Sequence, residues 1–161
     1  MSLCIVANWK LNGSREFNQQ WALEFLKHFN GNNFQSFGIA PASLYIDHLK
    51  EILNNCGIKI GVQNIDYIEA GARTGEISAS MIKDLGCKFC IIGHSERRTL
   101  FNETSQIIHQ KLIQANNNSI IPILCLGESA EDNQINNTYL LVVSLCDLYY
   151  YLNFMRKVCV T

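Results

Sequence analysis

The chain has 161 residues, of which 48% are apolar and 17% charged, with a formal net charge of −1. That apolar share supplies a core, so a disordered or collagen-like chain is excluded, and the near-neutral balance argues against the basic surface that nucleic acid requires. A closed eight-unit α/β barrel needs about 250 residues, and about 200 at the least, so the length argues against one.

Short apolar, β-branched runs alternate with helical patterns along the chain. The order is a strand at Leu3–Ala7, a helix at Phe17–Phe29 and a strand at Phe37–Ala40. A helix at Leu44–Asn54, a strand at Ile58–Val62 and a short helix at Ser80–Asp84 before Gly86 follow. Then come a strand at Phe89–Ile92, a helix from Thr104 to Ala115 and a strand at Ile120–Leu124. The first helix places Phe17, Trp21, Phe25 and Leu26 or Phe29 on one stripe; the last does so with Ile107, Ile108 and Leu112. The strands lack strict polar alternation, as strands buried on both faces do. Strand starts fall roughly 20 to 35 residues apart, the size of a βα unit. Repeated strand-then-helix order predicts a parallel sheet with right-handed crossovers. Five strands make either a doubly wound sheet complete in this length or five-eighths of a barrel.

The end of the chain reads differently. Tyr139–Met155 is apolar almost all round, broken only by Ser144, Asp147 and Asn153. As a membrane span it is short and carries Asp147 at its middle; a buried or artefactual helix is the stronger reading. The cysteines number seven, an odd count, and no basic stretch and long apolar run opens the chain. Reduced thiols in a cytosol are therefore expected, and the Asn-x-Ser/Thr triplets at Asn12, Asn102, Asn117 and Asn136 carry no glycosylation signal. Cys87-x-x-Cys90 lacks the second ligand pair of a structural zinc site and runs straight into a strand, so core packing is favoured over metal or redox chemistry.

Polar residues gather immediately after the strands, where α/β proteins place ligands. Asn8-Trp9-Lys10-Leu11-Asn12-Gly13 follows the first, and Gln63-Asn64 the third, with Gly71-Ala72-Arg73-Thr74-Gly75-Glu76 beyond. Gly93-His94-Ser95-Glu96-Arg97-Arg98 follows the fourth and Cys125-Leu126-Gly127-Glu128 the fifth. His94 ends a strand ahead of a helical turn, where backbone N–H groups can donate to one ring nitrogen and the dipole disfavours imidazolium. Its other nitrogen can then donate to a substrate carbonyl. Lys10 is a cation at a neighbouring strand end, suited to a phosphate or a developing enolate. Taken singly, such a histidine is more often structural and such a lysine more often solvated.

Taken together, these segments resemble the triosephosphate isomerases, and the resemblance runs from about Leu3 to about Thr138. It implies a TIM (β/α)8-barrel family member, here an incomplete barrel of about five parallel βα units. Residues 1–138 form that part, and 139–161 form a divergent apolar tail. The reaction implied is the interconversion of dihydroxyacetone phosphate and D-glyceraldehyde 3-phosphate through an enediolate, a step of glycolysis and gluconeogenesis. Lys10 matches the lysine that attracts the phosphate and stabilises enediolate charge. Asn8 matches the asparagine that orients it and contacts the substrate. His94 matches the neutral imidazole for which this family is the known example of pKa tuning, and Glu96 matches the glutamate that interacts with the lysine. Ser95 is expected to cap the following turn, while Arg97, Arg98, Glu103 and Lys111 are expected in structural ion pairs. Glu128 is read as structural, and His28, His48 and His109 as surface or packing residues. The loop Asn64–Ser78, with Thr74, Gly75 and Glu76, matches the loop that enters a partner subunit, which implies a cytoplasmic homodimer. The partner molecule implied is a small phosphorylated triose, with no cofactor, metal, nucleic acid or membrane.

The pattern breaks after Thr138. The family's base is a glutamate in an Ala-Tyr-Glu-Pro-type motif, followed by a mobile lid and glycine-rich phosphate loops, and residues 139–161 contain no Glu, Pro or Gly. Proton abstraction from carbon needs a base, so little or no isomerase activity is expected of this chain alone. The leading expectation is a truncated, frameshifted or mispredicted copy of the enzyme. The alternatives are a non-catalytic shortened paralogue forming mixed dimers and a small phosphosugar-binding module.

Overall fold

The computed structural model describes residues 4–28 and 36–126 and the strand at 157–160. The elements run β1 (Cys4–Asn8), α1 (Arg15–His28), β2 (Ser36–Ala40), a 3-10 turn at Ser43–Tyr45 and α2 (Ile46–Ile52). They continue with β3 (Lys59–Ile60), α3 (Ala79–Asp84), β4 (Phe89–Ile92), α4 (Ser95–Leu100), α5 (Ser105–Asn117), β5 (Ile121–Leu126) and β6 (Lys157–Val160). Short polar side chains start three of the helices: Ser14, Ser78 and Thr104 each accept a backbone N–H three residues on.

Every strand pair is parallel. β1-β2-β3 and β4-β5-β6 are joined by a bridge between Val62 and Cys90. Lys88 N donates to Ile60 O at 2.8 Å and Ile91 N to Val62 O at 2.9 Å across that join. The spatial order therefore follows the chain order, β1 through β6. A doubly wound sheet reverses its order at a switch point; this sheet does not, which is the pattern of a barrel wall.

Both faces of the wall are apolar, and neighbouring residues divide between them. Ile39, Ile60, Val62, Cys90, Ile92 and Leu124 pack with Ala22, Ile46, Leu49, Ile82, Ile108 and Leu112 of the helices. Ala40, Phe89, Ile91, Ile123 and Cys125 form a second buried cluster with Val6 and Ile121. This is why no strand alternates with polar residues. The Phe89 ring is admitted by two glycines. A Cβ on Gly38 would lie 2.7 Å from Phe89 Cε1, and one on Gly61 would lie 2.5 Å from both the ring and the Phe89 carbonyl oxygen.

Several boundaries differ from the sequence expectation. β3 is two residues long rather than Ile58–Val62, because the chain changes partner at Gly61: Ile60 pairs with β2 and Val62 with β4. The helix expected over Leu44–Asn54 is a 3-10 turn followed by α2, and Asn55 beyond it has φ +62°. α4 is a full element where only a helical turn was expected. β6 falls inside the segment set apart as a tail and lies parallel to β5. The Tyr139–Met155 run, Gly127 and Glu128 lie outside the described residues. No helix among the described residues is long and apolar enough to cross a membrane.

The Cys87-x-x-Cys90 pair is core. Both side chains are buried, and burial pushes the Cys90 thiol up to about 12, so its thiolate is out of reach at neutral pH. No group of three or more His, Cys, Asp or Glu side chains suited to a metal ion occurs among the described residues.

Candidate active site

The site is built at the C-terminal ends of the strands. β1 ends at Asn8, and Trp9 N still donates to Ala40 O of β2 at 3.1 Å. Edge-to-face contact of Trp9 with Trp21 at 4.8 Å, and stacking of Trp21 on Phe25 at 5.1 Å, moor this exit to α1. Lys10 follows with φ +53°, the left-handed region, which costs a side-chain-bearing residue about 1–2 kcal/mol. The conformation is held at both ends of the residue. Asn8 Oδ1 accepts from Lys10 N at 3.0 Å, and Gln63 Nε2 donates to Lys10 O at 2.9 Å. Asn12 Nδ2 donates to Trp9 O at 2.9 Å.

On the other side of the site, Gly93 turns the chain out of β4 with φ +72°. His94 then caps α4: its Nδ1 accepts from Glu96 N at 3.3 Å. The cap expected of Ser95 is therefore made by His94, and Ser95 is the first helical residue; the strand end leaves only the histidine extended (φ −56°, ψ 142°) ahead of the turn. A ring nitrogen that accepts carries no hydrogen, so the imidazole hydrogen sits on Nε2. Glu96 Oε2 lies 3.6 Å from Nδ1, beyond hydrogen-bond range, and leaves that assignment intact. The ring is 13% exposed.

The two sides meet through a carboxylate. Lys10 Nζ lies 2.6 Å from Glu96 Oε1, with the side chains 52% and 45% exposed. The hydrogen bond from Lys10 holds the Glu96 carboxyl below its ordinary range, against a smaller opposing effect of burial. One cation, one carboxylate and one imidazole with its N–H free of the cap thus share one edge. Such a set can bind an oxyanion and donate a hydrogen bond to a carbonyl.

A buried layer supports this edge. Arg97 Nε and Lys111 Nζ both reach Glu103 Oε1 at 2.5 Å, as the sequence led one to expect. Lys111 also donates to Asn64 Oδ1 at 2.6 Å, tying α5 to the exit of β3. Burial pulls the Lys111 ammonium down from its ordinary range, with Glu103 acting in the opposite sense. Arg98 departs from expectation. It forms no ion pair with a described residue; its Nε donates to Gly93 O at 2.8 Å and its Nη2 to Cys125 O at 3.3 Å. Two strand-end carbonyls need donors there, and the guanidinium fork supplies both.

Gln63, Asn64 and Arg98 hold the site, although the sequence gives Gln63 no individual role, makes Asn64 only the start of the 64–78 loop and expects Arg98 in an ion pair. The only signal was position: Gln63-Asn64 directly follows a strand, as the other segments do. Thr74, Gly75 and Glu76 lie on the exposed tip of the 64–78 loop. That loop is braced by Arg73, which pairs with buried Asp66 at 2.9 Å and covers the Tyr67 ring at 4.6 Å. No hydrogen bond or ion pair among the described residues joins the tip to Lys10, His94 or Glu96. His28 is exposed beside Glu24, and His48 and His109 are half-buried on α2 and α5, away from the strand ends.

An open cleft of about 500 Å³ adjoins the site, lined by Asn8, Trp9, Asn12 and Gly13 with Phe17 and Trp21. A larger depression, about 620 Å³, lies over α5 and includes none of the site residues.

The family model described as Triosephosphate isomerase matches residues 3–149. Triosephosphate isomerase of Nitrosococcus oceani is 40% identical over 134 residues, covering 83% of this chain and 54% of that protein. That of Shewanella piezotolerans is 37% identical over 151 residues, covering 89% and 58%. A crystal structure of triosephosphate isomerase from Bartonella henselae superposes with a TM-score of 0.76 at 32% identity, over 84% of this chain and 56% of that one. The chain thus spans a little over half the length of the relatives it matches.

Proposed function

The chain belongs to the triosephosphate isomerase family, and on that premise we propose that its site takes dihydroxyacetone phosphate and D-glyceraldehyde 3-phosphate as ligands. The observation that carries this reading is the Lys10–Glu96–His94 arrangement, with Lys10 Nζ 2.6 Å from Glu96 and His94 Nδ1 engaged by the backbone. In this reading Lys10 attracts the phosphate and stabilises negative charge on the enediolate oxygens. Asn8, bonded to the Lys10 amide, orients the lysine and contacts the ligand. His94 donates from Nε2 to the carbonyl and carries protons between the two oxygens. Glu96 sets the position of the ammonium until the ligand shares it.

Carbon-proton abstraction is the step these residues do not supply. It needs a positioned base, and Glu131 is the last glutamate of the 161 residues. Glu96 and Glu103 are occupied by Lys10, Arg97 and Lys111. We therefore infer that these 161 residues alone bind a triose phosphate and turn it over slowly or not at all, with residues 139–161 a divergent tail. The exposed loop tip at Thr74, Gly75 and Glu76 is the surface for a second subunit, either this chain or a full-length isomerase, in a cytoplasmic enzyme. The exposure of that tip leaves it available to a partner, and a mixed dimer is the second reading.

Titration of the purified chain with dihydroxyacetone phosphate by calorimetry tests the primary reading. Saturable binding that Lys10→Met abolishes is the expected result. Absence of binding at millimolar ligand, or binding unaffected by Lys10→Met, overturns it. Co-purification of a full-length isomerase, lost on shortening 71–76, identifies the mixed dimer.

A further inference from the structure

We propose that Gln63 is a positioning residue for Lys10, a clamp that holds the lysine peptide in its left-handed conformation so that the ammonium reaches the ligand. The proposal deepens the reading above and rests on it for the identity of the ligand. A primary amide carries two N–H donors, and Gln63 Nε2 has two acceptors: Lys10 O and Ala40 O, each at 2.9 Å. Ala40 is the last residue of β2 and fully buried, so one end of the clamp is fixed to the wall. Gln63 itself follows Val62, whose backbone is bonded to Phe89 O and Ile91 N. The exit of β1 is thereby referred to the end of β2 through one side chain, whose own backbone neighbour Val62 is fixed to β4.

Lys10 needs such a hold. Its φ of +53° is unfavourable for a lysine, and relaxation to a negative φ swings the Cα–Cβ bond, and with it the ammonium, away from its present direction. Asn8 secures only the N–H of Lys10. Gln63 secures the carbonyl, the other half of the residue. Glutamate at 63 would oppose both carbonyls with a carboxylate, asparagine falls one methylene short, and leucine lacks donors. Loss of the clamp is cheap for folding, because Ala40 O keeps its bond from Trp9 N and Lys10, which is exposed, can bond water through its carbonyl. A positioning role therefore separates from a structural one.

The test follows the Glu96 carboxyl by carbon-detected NMR titration in the full chain, as wild type, Gln63→Leu and Lys10→Met, beside calorimetry with dihydroxyacetone phosphate. The Lys10 hydrogen bond depresses the Glu96 midpoint, so Lys10→Met marks full loss of the pair. Gln63→Leu is expected to move the midpoint toward the Lys10→Met value, with an unfolding midpoint close to wild type, and to weaken the ligand about tenfold or more. A folded Gln63→Leu with the wild-type Glu96 titration overturns the proposal. Should Gln63→Leu fail to fold, Gln63→Asn is read in the same way, and failure of both variants to fold makes Gln63 structural and also overturns it. If the wild type binds no dihydroxyacetone phosphate, the functional reading falls, while the Glu96 titration still decides the role of Gln63.

Discussion

Lys10 Nζ and Glu96 Oε1 stand 2.6 Å apart, a contact that closes 86 residues of chain and joins the exit of β1 to the first turn of α4. Its pH dependence follows from the sign of the Glu96 shift. The folded carboxyl titrates below its ordinary value because Lys10 donates to it. The pair is therefore complete above the ordinary carboxylate range and is lost as pH falls through the lowered folded value. Both groups are about half exposed, so the contribution to stability is small and screened by salt. Calorimetric affinity for a triose phosphate measured between pH 4 and pH 8, a window that includes the ordinary carboxylate value, should show no inflection from Glu96. An inflection that Glu96→Gln removes would show the pair is weaker in solution.

The two glycines facing Phe89 should behave differently. Gly38→Ala meets chiefly the ring, at 2.7 Å, whereas Gly61→Ala meets the Phe89 carbonyl oxygen as well, at 2.5 Å. Each substitution should cost about 1–3 kcal/mol by overpacking, with Gly61→Ala the larger. Adding Phe89→Leu should recover part of the loss in the Gly38→Ala background and little in the Gly61→Ala background. Urea unfolding of the six chains checks this; equal recovery in both would place the conflict elsewhere.

His94 has a structural duty separable from its chemistry. As the cap of α4 it accepts one backbone N–H, so His94→Ala should cost about 1 kcal/mol. His94→Asn supplies another capping acceptor and should lie within a few tenths of wild type. Both remove the imidazole. Stability that drops equally in the two variants would mean the ring contributes by packing instead.

Glu103 and Lys111 are a buried ion pair. Lys111→Met leaves the carboxylate with Arg97 alone and with one oxygen, Oε2, unbonded. A loss of about 3 kcal/mol is expected, read as a lower urea midpoint at unchanged slope. A neutral result would show that Arg97 alone compensates Glu103.

The strands were readable because burial on both faces leaves uninterrupted β-branched runs, and β4 at Phe89–Ile92 was found residue for residue. β3 is shorter than its apolar run predicts because Gly61 is a packing event: its missing side chain makes room for a phenylalanine 28 positions away, and nothing local announces it. That Lys10, His94 and Glu96 share one edge is legible in the sequence because each follows a strand in a long segment. The supports were less so. Gln63 and Arg98 act on main-chain carbonyls of other strands, and a carbonyl has no letter in the sequence. Ser95 was assigned the cap on general preference, but the geometry at the strand end gives that place to the residue before it. β6 was missed because it follows a segment whose apolar pattern has no helical stripe.

In our reading these residues carry the binding and polarising half of an isomerase site without its base. The direct measurement is proton–deuterium exchange at the carbon of dihydroxyacetone phosphate incubated with the chain in D2O, followed by NMR. The predicted result is saturable binding with exchange no faster than in buffer. Exchange well above buffer that disappears in His94→Asn would contradict it, showing that a base is present after all.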